Sequence, residues 1–376
     1  MENSKFFPEI HGNFGFGCMR LPMKGGSVDY EEFCRMADAF IEAGFNYFDT
    51  AHAYLGGLSE TAIRDCVAKR WPREKFLLTN KLTTPYFNKQ EDIRPFVESQ
   101  LKLCGVDYFD FYLMHAQDRN NYQKYKRCQA YETCYALKQE GLIRHFGISF
   151  HDKAEVLDMI LTEHPEVEIV QIQFNYVDYE DASVESRKVY EVCEKHGKPV
   201  IVMEPVKGGS LASLRPELEA KYKAARPEKS VASWALRYVG SLPGVMTILS
   251  GMSTEDQMQD NISTFRNFEP LSEKEKALVE EVRTEMLNVP QIGCTACRYC
   301  TDGCPMQISV PDVFRAVNTM RLYNEVFRPK NFYNGVVGQG HGRASDCIGC
   351  GQCEGVCPQH LPIIDLLKEA SGLLDV

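Results

Sequence analysis

Eight of the 15 cysteines in this chain follow residue 290, and they repeat one spacing. Each repeat reads C-x2-C-x2-C-x3-C with a proline directly after it. The two repeats are Cys294, Cys297, Cys300 and Cys304, and Cys347, Cys350, Cys353 and Cys357. Three thiolates two residues apart can wrap one cube of iron and sulfide. A zinc site is the alternative, but zinc usually takes two C-x2-C pairs set well apart, so the spacing favours two [4Fe–4S] clusters.

The two repeats resemble those of two-cluster ferredoxins, in which the fourth cysteine of each repeat crosses to the other cluster. The resemblance implies two ligand sets: Cys294, Cys297 and Cys300 with Cys357, and Cys347, Cys350 and Cys353 with Cys304. The insert between the repeats, 305–346, is longer than in a minimal ferredoxin. We predict that it carries a helix near Val313–Arg321 and a loop.

Seven further cysteines are scattered through the first 200 residues without a repeated spacing. They are Cys18, Cys34, Cys66, Cys104, Cys128, Cys134 and Cys193. Free cysteine is readily buried as a small apolar residue. We therefore expect these seven to be buried apolar residues or inert surface thiols.

Four ionisable side chains accompany consecutive apolar runs nearer the N-terminus. Asp49 ends the second run and Tyr54 follows it, while Lys81 and His115 end the third and fourth runs. Taken singly, each has a structural explanation: a turn cap, a surface aromatic, a solvated lysine and a core histidine. Taken together, they lie where β/α-barrel enzymes build active sites, at the carboxyl ends of the strands.

Eight apolar runs separated by helical stretches can supply the strands of such a barrel. Glycine ends several of the helical stretches, for example Gly44, Gly105 and Gly141, and suits the left-handed position past a helix end. The runs lie near Phe14–Cys18, Asn46–Asp49, Phe76–Lys81, Phe109–His115, Ile143–Ser149, Ile169–Phe174, Val200–Glu204 and Met246–Ser250. Eight such units predict a closed (β/α)8 TIM barrel. A doubly wound sheet is the alternative, but no G-x-G-x-x-G opens the first helix.

The composition changes to Cys, Gly and Pro after Pro290, beyond a charged amphipathic helix at Ser272–Leu287. We therefore predict an α/β chain with a TIM barrel over 1–287 and a small α-helical ferredoxin-like iron–sulfur domain over 288–376. The net charge of −10 argues against a nucleic-acid surface. No run approaches the ~18–20 apolar residues of a membrane helix, and the N-terminus lacks a signal-peptide core, so we expect a cytoplasmic protein.

The barrel region resembles the aldo-keto reductase family over residues 10–265. The matching stretches are Asn46–Tyr54, Ser59–Glu60, Thr79–Lys81 and Tyr112–His115. Two others, Met19–Pro22 and Gly147–Asp152, are similar to the subgroup that carries a C-terminal ferredoxin-like domain. The resemblance implies an oxidoreductase that interconverts a carbonyl and an alcohol by hydride transfer with a nicotinamide nucleotide.

The resemblance also implies a role for each of the four ionisable residues. Tyr54 would protonate the carbonyl oxygen as hydride arrives at carbon, or run the reverse. A free phenol titrates near pH ~10, and an ammonium beside it stabilises phenolate and lowers that pKa. Lys81 would supply this charge and Asp49 would hold Lys81 in place. His115 would hydrogen-bond the same oxygen and orient the substrate.

Five further residues correspond to positions that hold the nucleotide in that family. Ser149 and Gln171 match the residues that bind the nicotinamide carboxamide, and Asp260 and Asn261 match an acidic-Asn pair that holds the adenosine. Met203 stands where the family stacks an aromatic ring on the nicotinamide. Methionine can still lie against a ring, although less rigidly.

Two replacements bear on the choice between nucleotides. Gly251 and Gln257 stand where the family has the lysine and arginine that clamp the 2′-phosphate of NADPH. Without those charges the protein lacks the contacts that would bind the 2′-phosphate selectively. We therefore expect the protein to bind NAD(H) rather than NADP(H), or to hold a nicotinamide nucleotide weakly or not at all.

The leading expectation is an NAD(P)-linked enzyme acting on a small-molecule carbonyl or alcohol, whose clusters relay electrons to a redox partner of ferredoxin or flavodoxin type. Hydride carries two electrons and each cluster passes one, so a flavin or radical step between them stays an alternative. Three alternatives stay open. The chain is an electron-transfer protein whose barrel no longer performs hydride chemistry, or it is a non-catalytic binding subunit, or its clusters only stabilise the fold.

Overall fold

The computed structural model describes residues 4–181 and 184–375, and its first feature is a closed barrel of eight parallel strands. The strands are β1 (Phe14–Gly17), β2 (Tyr47–Asp49), β3 (Leu77–Leu82), β4 (Phe109–Gln117), β5 (Ile143–Phe150), β6 (Ile169–Gln173), β7 (Val200–Met203) and β8 (Val245–Gly251). Each strand pairs with its neighbours in chain order, and β8 pairs with β1 to close the barrel. The predicted TIM barrel is confirmed.

Helices connect the strands, and they form where apolar residues recur at helical spacing. The helices of this part of the chain are α1 (Tyr30–Glu42), α2 (Leu58–Ile63), α3 (Ile93–Cys104), α4 (Arg119–Arg127), α5 (Ala130–Gln139), α6 (Ala154–Glu163), α7 (Ser186–Lys195), α8 (Pro216–Ala225), α9 (Val231–Gly240), α10 (Glu255–Arg266) and α11 (Glu273–Leu287). In α1 the buried residues Phe33, Met36, Ala37 and Phe40 form one stripe facing the strands. Asp29 caps this helix by accepting a hydrogen bond from the Glu32 amide at 3.1 Å.

The barrel interior is packed with apolar side chains from alternate strand positions. Tyr47, Phe111, Ile169 and Ile201 belong to this inner cluster, and all are fully buried. Glycine is required where strands approach most closely. A Cβ at Gly147 would lie 2.4 Å from the Ile169 side chain, so a larger residue would displace the neighbouring strand.

Two of the scattered cysteines are not free thiols. Cys34 on α1 and Cys66 in the π-helical turn Arg64–Ala68 form a disulfide, with their Cα atoms 4.7 Å apart. The expectation of an unpaired thiol is therefore wrong for these two, because α1 packs against the turn and brings together residues 32 positions apart. The other five are buried free cysteines, namely Cys18, Cys104, Cys128, Cys134 and Cys193.

The C-terminal part of the chain is helical, as predicted. Its helices are α12 (Tyr299–Asp302), α13 (Val310–Tyr323), α14 (Phe327–Gly338), α15 (Gln352–Gly355) and α16 (Ile363–Leu374). The insert between the cysteine repeats therefore holds two α-helices and a 3-10 turn at Ala344–Asp346, where one helix and a loop were predicted. The α14 residue Tyr333 is buried, and its hydroxyl accepts a hydrogen bond from the Ala344 amide and donates one to Asp375, each at 2.7 Å.

The chain divides into two compact units that do not follow a single cut in the sequence. The first comprises the residues up to Gly209 together with Glu228–Ala277, and the second comprises Ser210–Pro227 together with the residues from Leu278 onward. Within the second unit, apolar residues of α13 and α16 form a separate core that includes Val313, Phe314 and Leu367. None of the helices in the described parts of the chain combines the length and apolar composition that a membrane crossing requires.

Candidate active site and metal centres

Asp49 and Lys81 form a buried ion pair at the carboxyl ends of β2 and β3. The Lys81 Nζ lies 2.6 Å from Asp49 Oδ1 and donates a second hydrogen bond to the Thr50 carbonyl at 2.9 Å. Their side chains are 0% and 3% exposed. Burial acts to lower the pKa of Lys81, but the interactions of its ammonium with Asp49 and Tyr54 offset this effect and raise the pKa above the usual value. The lysine is therefore an ammonium at neutral pH.

The Tyr54 ring lies over this ammonium, with Lys81 Nζ 4.9 Å from the ring centroid. Burial raises the pKa of the Tyr54 phenol above its usual value, and the interaction with Lys81 opposes the rise without reversing it. Lys81 lowers this pKa as the resemblance implied, but desolvation contributes more, so the pKa lies above its usual value. Tyr54 is consequently protonated at neutral pH and can act as a proton donor.

His115 is the fourth predicted residue and lies beside Tyr54, with 6.0 Å between the ring centroids and the rings close to perpendicular. Its Nδ1 is 2.8 Å from the Thr83 hydroxyl, which leaves Nε2 for a substrate oxygen. Burial, reinforced by Lys81 and His151, lowers the pKa of His115 to about 3. The imidazole is therefore neutral at neutral pH, and it can hydrogen-bond an oxygen without acting as the acid.

Of the three residues predicted at the nicotinamide, Ser149 and Met203 lie near the ends of β5 and β7, and Gln171 is the middle residue of β6. Ser149 is paired in register with Gln171, and Gln173 with Met203. The Gln171 amide donates to Asp49 Oδ2 at 3.1 Å, so one residue connects the nicotinamide positions to the ion pair. Ser149 Oγ lies 3.3 Å from His151 Nε2. The structure thus brings these residues to the same rim of the barrel as the four ionisable ones.

The two residues predicted at the adenosine are on α10, and both are engaged by neighbouring serines. Asn261 is buried and donates to Ser250 Oγ at 2.9 Å. Asp260 accepts a hydrogen bond from the Ser230 hydroxyl at 2.6 Å.

Arg20 lies against Gly251, the position where the resemblance implied a missing phosphate-binding lysine. A Cβ placed on Gly251 would lie 3.2 Å from Arg20 Cδ, so the missing side chain gives room to this arginine. The Arg20 guanidinium is 3.7 Å from Glu204 Oε1, and both side chains are partly exposed. Lys207, a second cation of this rim, is paired with Asp178.

A buried carboxylate that the sequence did not identify as functional supports the strand that carries Lys81. Glu60 is fully buried and accepts hydrogen bonds from Asn80 Nδ2 at 2.8 Å and Gln100 Nε2 at 3.2 Å. The same two amides bind the Lys81 backbone: Gln100 Nε2 donates to the Lys81 carbonyl at 3.1 Å, and Asn80 Oδ1 accepts from the Lys81 amide at 2.8 Å. His52 Nδ1 lies 2.6 Å from the other Glu60 oxygen.

The eight predicted metal ligands line two cavities, and each cavity takes its fourth cysteine from the other repeat. The first is lined by Cys294, Cys297, Cys300 and Cys357. The second is lined by Cys304, Cys347, Cys350 and Cys353. The remaining walls are largely apolar, with Val310 on both cavities. Four thiols around one apolar volume fit a [4Fe–4S] cluster, whose ligands are cysteine thiolates.

Comparisons with known sequences agree with both halves of this arrangement. The profile described as Aldo/keto reductase family matches residues 13–284, and the profile described as 4Fe-4S dicluster domain matches residues 293–361. An uncharacterized oxidoreductase of Schizosaccharomyces pombe is 27% identical over 271 residues, which are 67% of this chain and 81% of that protein. The NADH-specific methylglyoxal reductase of Escherichia coli is 24% identical over 307 residues, 69% of this chain and 90% of that protein.

Solved structures show the same fold for the barrel. An aldo/keto reductase from Klebsiella pneumoniae, in complex with NADP and acetate, is 19% identical with a TM-score of 0.61, covering 75% of this chain and 96% of that chain. The holo form of an aldo-keto reductase from Bacillus halodurans is 23% identical with a TM-score of 0.59, covering 75% of this chain and 95% of that chain.

Proposed function

Since this chain is an oxidoreductase of the aldo/keto reductase family with a C-terminal 4Fe-4S dicluster domain, we propose that it interconverts a small-molecule carbonyl and an alcohol by hydride transfer with a nicotinamide nucleotide. The observation that carries the proposal is the Tyr54 ring above a buried Asp49–Lys81 ion pair. A protonated phenol, an ammonium and a neutral imidazole around one volume are the groups that carbonyl reduction requires.

Each of the four residues has a distinct task in this proposal. Tyr54 gives its proton to the substrate oxygen, and the ammonium of Lys81 stabilises the phenolate that remains. Asp49 keeps that ammonium in place through the 2.6 Å contact. His115 donates a hydrogen bond to the same oxygen from Nε2, because Thr83 already occupies Nδ1. The nicotinamide, when bound, supplies or accepts the hydride.

We assign nucleotide binding to the rim formed by β5 to β8 and α10. Ser149 and Gln171 would bind the carboxamide, Met203 would lie against the nicotinamide, and Asp260 with Asn261 would hold the adenosine. The serine contacts of Asp260 and Asn261 must then be exchanged for nucleotide contacts or shared with them. The absence of basic side chains at 251 and 257 favours NAD(H) over NADP(H).

The two cysteine-lined cavities support a relay of single electrons between the chain and a redox partner of ferredoxin or flavodoxin type. Each [4Fe–4S] cluster, when bound, exchanges one electron. We propose Cys294, Cys297, Cys300 and Cys357 as the ligands of one cluster, and Cys304, Cys347, Cys350 and Cys353 as those of the other. A hydride carries two electrons whereas each cluster accepts one, so a bound flavin would be a suitable intermediate carrier between them.

A second candidate function is an electron-transfer protein whose barrel no longer performs hydride chemistry. It is favoured by Met203 in place of a rigid aromatic ring, and by the serine partners that already engage Asp260 and Asn261. A bound flavin would suit this alternative as well as the first.

Replacement of Tyr54 by phenylalanine tests the first function against the second. Aldehydes, ketones and sugar-like alcohols are first screened with NADH and NAD, and with an artificial one-electron acceptor. With a substrate in hand, Tyr54→Phe should lower kcat by ~10²–10⁴-fold, because it removes only the proton donor. Nucleotide binding and the iron content should stay unchanged.

The matched control is Tyr135→Phe, which removes a hydroxyl from a tyrosine that is 44% exposed on α5. It should leave kcat at the wild-type level. If Tyr54→Phe turns the substrate over at the wild-type rate, Tyr54 is not the acid. If no substrate is turned over but one-electron rates are measurable and unaffected by Tyr54→Phe, the electron-transfer function is favoured.

A further inference from the structure

The two cysteine-lined cavities are built alike, and one of the equivalent positions at which they differ carries a charge only in the first cavity. Arg298 directly follows the second cysteine of the first repeat, and Gly351 directly follows the second cysteine of the second repeat. Both residues precede a short helix, α12 or α15, and both have a left-handed backbone, with φ of 65° and 77°. The same place in the two sites is thus taken by a cation in one and by no side chain in the other.

The cation belongs to the wall of the first cavity. Arg298 lines that cavity, and its guanidinium is held 3.3 Å from both carboxylate oxygens of Asp312 and 3.4 Å from Ser309 Oγ. Ser309 is buried and directly precedes Val310 and Pro311, which line the same cavity. These contacts place the guanidinium beside the cavity, on a side chain that is 56% exposed. Asp312 is not among the described residues that line it, so its carboxylate cancels the positive charge only in part.

The second cavity has no such charge. Apart from its four cysteines, the described residues on its wall are uncharged, among them Met306, Ile308, Ile348 and Gln352. A Cβ on Gly351 would meet no other atom within 4 Å, so the place that Arg298 fills in the first site is open in the second. The two sites thus present different electrostatic surroundings to groups of the same kind.

We propose that Arg298 makes the cluster bound by Cys294, Cys297, Cys300 and Cys357 the easier of the two to reduce, so that the first electron entering the domain rests there. This inference rests on the proposed clusters. Each cluster takes up one electron and becomes one unit more negative. A cation in the wall stabilises that reduced form more than the oxidised form, which raises the reduction potential.

Burial acts in the opposite direction but differs less between the sites. Cys300 is 8% exposed, whereas its equivalent Cys353 is partly exposed, and a more buried cluster is harder to reduce. The second cysteines, Cys297 and Cys350, are both exposed. Exposure therefore differs in only one of the four pairs of equivalent ligands. The guanidinium is a full positive charge present at one site alone. We expect this charge to decide which cluster is reduced first.

The test is a potentiometric titration of the anaerobically purified full chain with dithionite, followed by electron paramagnetic resonance. Wild-type protein should show two separate one-electron steps. Arg298→Gly removes the cation and suits the left-handed backbone, so the upper midpoint should fall towards the lower one, which should not move. Arg298→Lys keeps the charge and should retain the separation.

The equivalent position supplies an independent test. Gly351→Arg places a cation in the open space of the second site, so the lower midpoint should rise while the upper one stays. Iron and sulfide are counted in every variant, so that a shifted step is read only from protein with both clusters. Unmoved midpoints in both Arg298→Gly and Gly351→Arg, or a lower step that moves in Arg298→Gly, would overturn the inference.

These results are distinguishable from a failure of the proposed function. A wild-type chain with about eight iron and eight sulfide but coincident steps contradicts only the role of Arg298. A chain without iron contradicts the clusters themselves. Neither result depends on whether Tyr54 transfers a proton.

Discussion

The Lys81 ammonium lies 2.6 Å from the Asp49 carboxylate, and neither group has appreciable access to water. Both charges are removed from solvent, and each is stabilised by the opposite charge of the other. Loss of one partner leaves the other as an uncompensated buried charge, which is strongly destabilising. The pair is consequently a structural element of the barrel as well as the proposed support for Tyr54.

Lys81→Met should therefore lower the free energy of unfolding of the barrel by ~3–5 kcal/mol, because Asp49 stays buried without a cation. Adding Asp49→Asn should recover part of that loss, since no charge is then unpaired. Catalytic turnover should be lost in both variants. The measurement is urea unfolding followed by tryptophan fluorescence, since Trp71 and Trp234 both lie in the barrel unit.

The matched control is Lys195→Met, which breaks an exposed ion pair with Asp158 at 2.7 Å. An exposed pair contributes at most ~1 kcal/mol, so this variant should unfold like wild type. Equal losses for the two lysine variants would mean that the Asp49–Lys81 pair is not buried in the protein in solution.

The lowered pKa of His115 predicts a specific acid sensitivity. Because the folded protein holds this imidazole neutral down to about pH 3, while the unfolded chain takes up a proton near ~6.5, the unfolded state binds more protons between these values. The stability contributed by neutral His115 is thus complete above pH ~6.5 and is lost as the pH falls towards 3.

Between pH 7 and pH 5, wild-type protein should lose roughly 1–2 kcal/mol more unfolding free energy than His115→Gln, which cannot take up this proton. Urea unfolding at the two pH values measures the difference. If His115→Gln loses as much unfolding free energy as wild type between pH 7 and pH 5, His115 titrates near its ordinary pKa. The pH dependence of kcat should likewise show no inflection from His115 near neutrality.

NADH should bind at least as tightly as NADPH, because Gly251 and Gln257 offer no cation to the 2′-phosphate. One charge-assisted contact is worth ~1.5–3 kcal/mol, so Gln257→Arg should improve NADPH binding by ~10-fold or more while leaving NADH unchanged. Direct titration of the protein with each nucleotide measures both constants.

A tenfold preference of wild type for NADPH would contradict this expectation. Arg20, which lies against Gly251, would then be the residue to examine. If Arg20→Ala abolishes such a preference, Arg20 supplies the contact to the 2′-phosphate that positions 251 and 257 lack.

Iron content should reveal the exchange of cysteines between the repeats. Anaerobically purified wild type should hold about eight iron and eight sulfide, and Cys357→Ala should hold about four of each. The double variant Cys294→Ala, Cys357→Ala should also retain one cluster, since both residues line the first cavity. Cys353→Ala, Cys357→Ala should lose both clusters, since these residues line different cavities.

Ligand sets that follow the sequence repeats would give the reverse result for the two double variants. Cys193→Ala, which removes a buried thiol of the barrel, should leave the iron content unchanged. One or two zinc ions per chain without iron would contradict the cluster assignment altogether.

The barrel and its rim could be predicted from the sequence because both depend on local pattern. Parallel strands end at the same rim, so residues at the ends of apolar runs, such as Asp49 and Lys81, had to lie near one another. The ferredoxin spacing likewise predicted which cysteines line each of the two cavities. In both cases the strand or loop that carries the site residues also fixes the distances between them.

The supporting contacts could not be predicted, because they depend on how helices pack. Glu60 reaches Asn80 and Gln100, which lie 20 and 40 residues further along the chain, only after α2 and α3 are placed against β3. Cys34 meets Cys66 for a similar reason. The sign of the net pKa shift at Tyr54 also required the structure, since it depends on the depth of burial against the distance to a charge.

The discontinuous second unit bears on how this architecture can be modified. Ser210–Pro227 is contributed by the connection after β7, and in the second unit its Arg215 and Lys221 bind Glu285 of α11. Buried residues of the same segment include Leu218 and Tyr222. The two units therefore alternate along the sequence, so an exchange of the second unit between homologues must transfer both of its segments together.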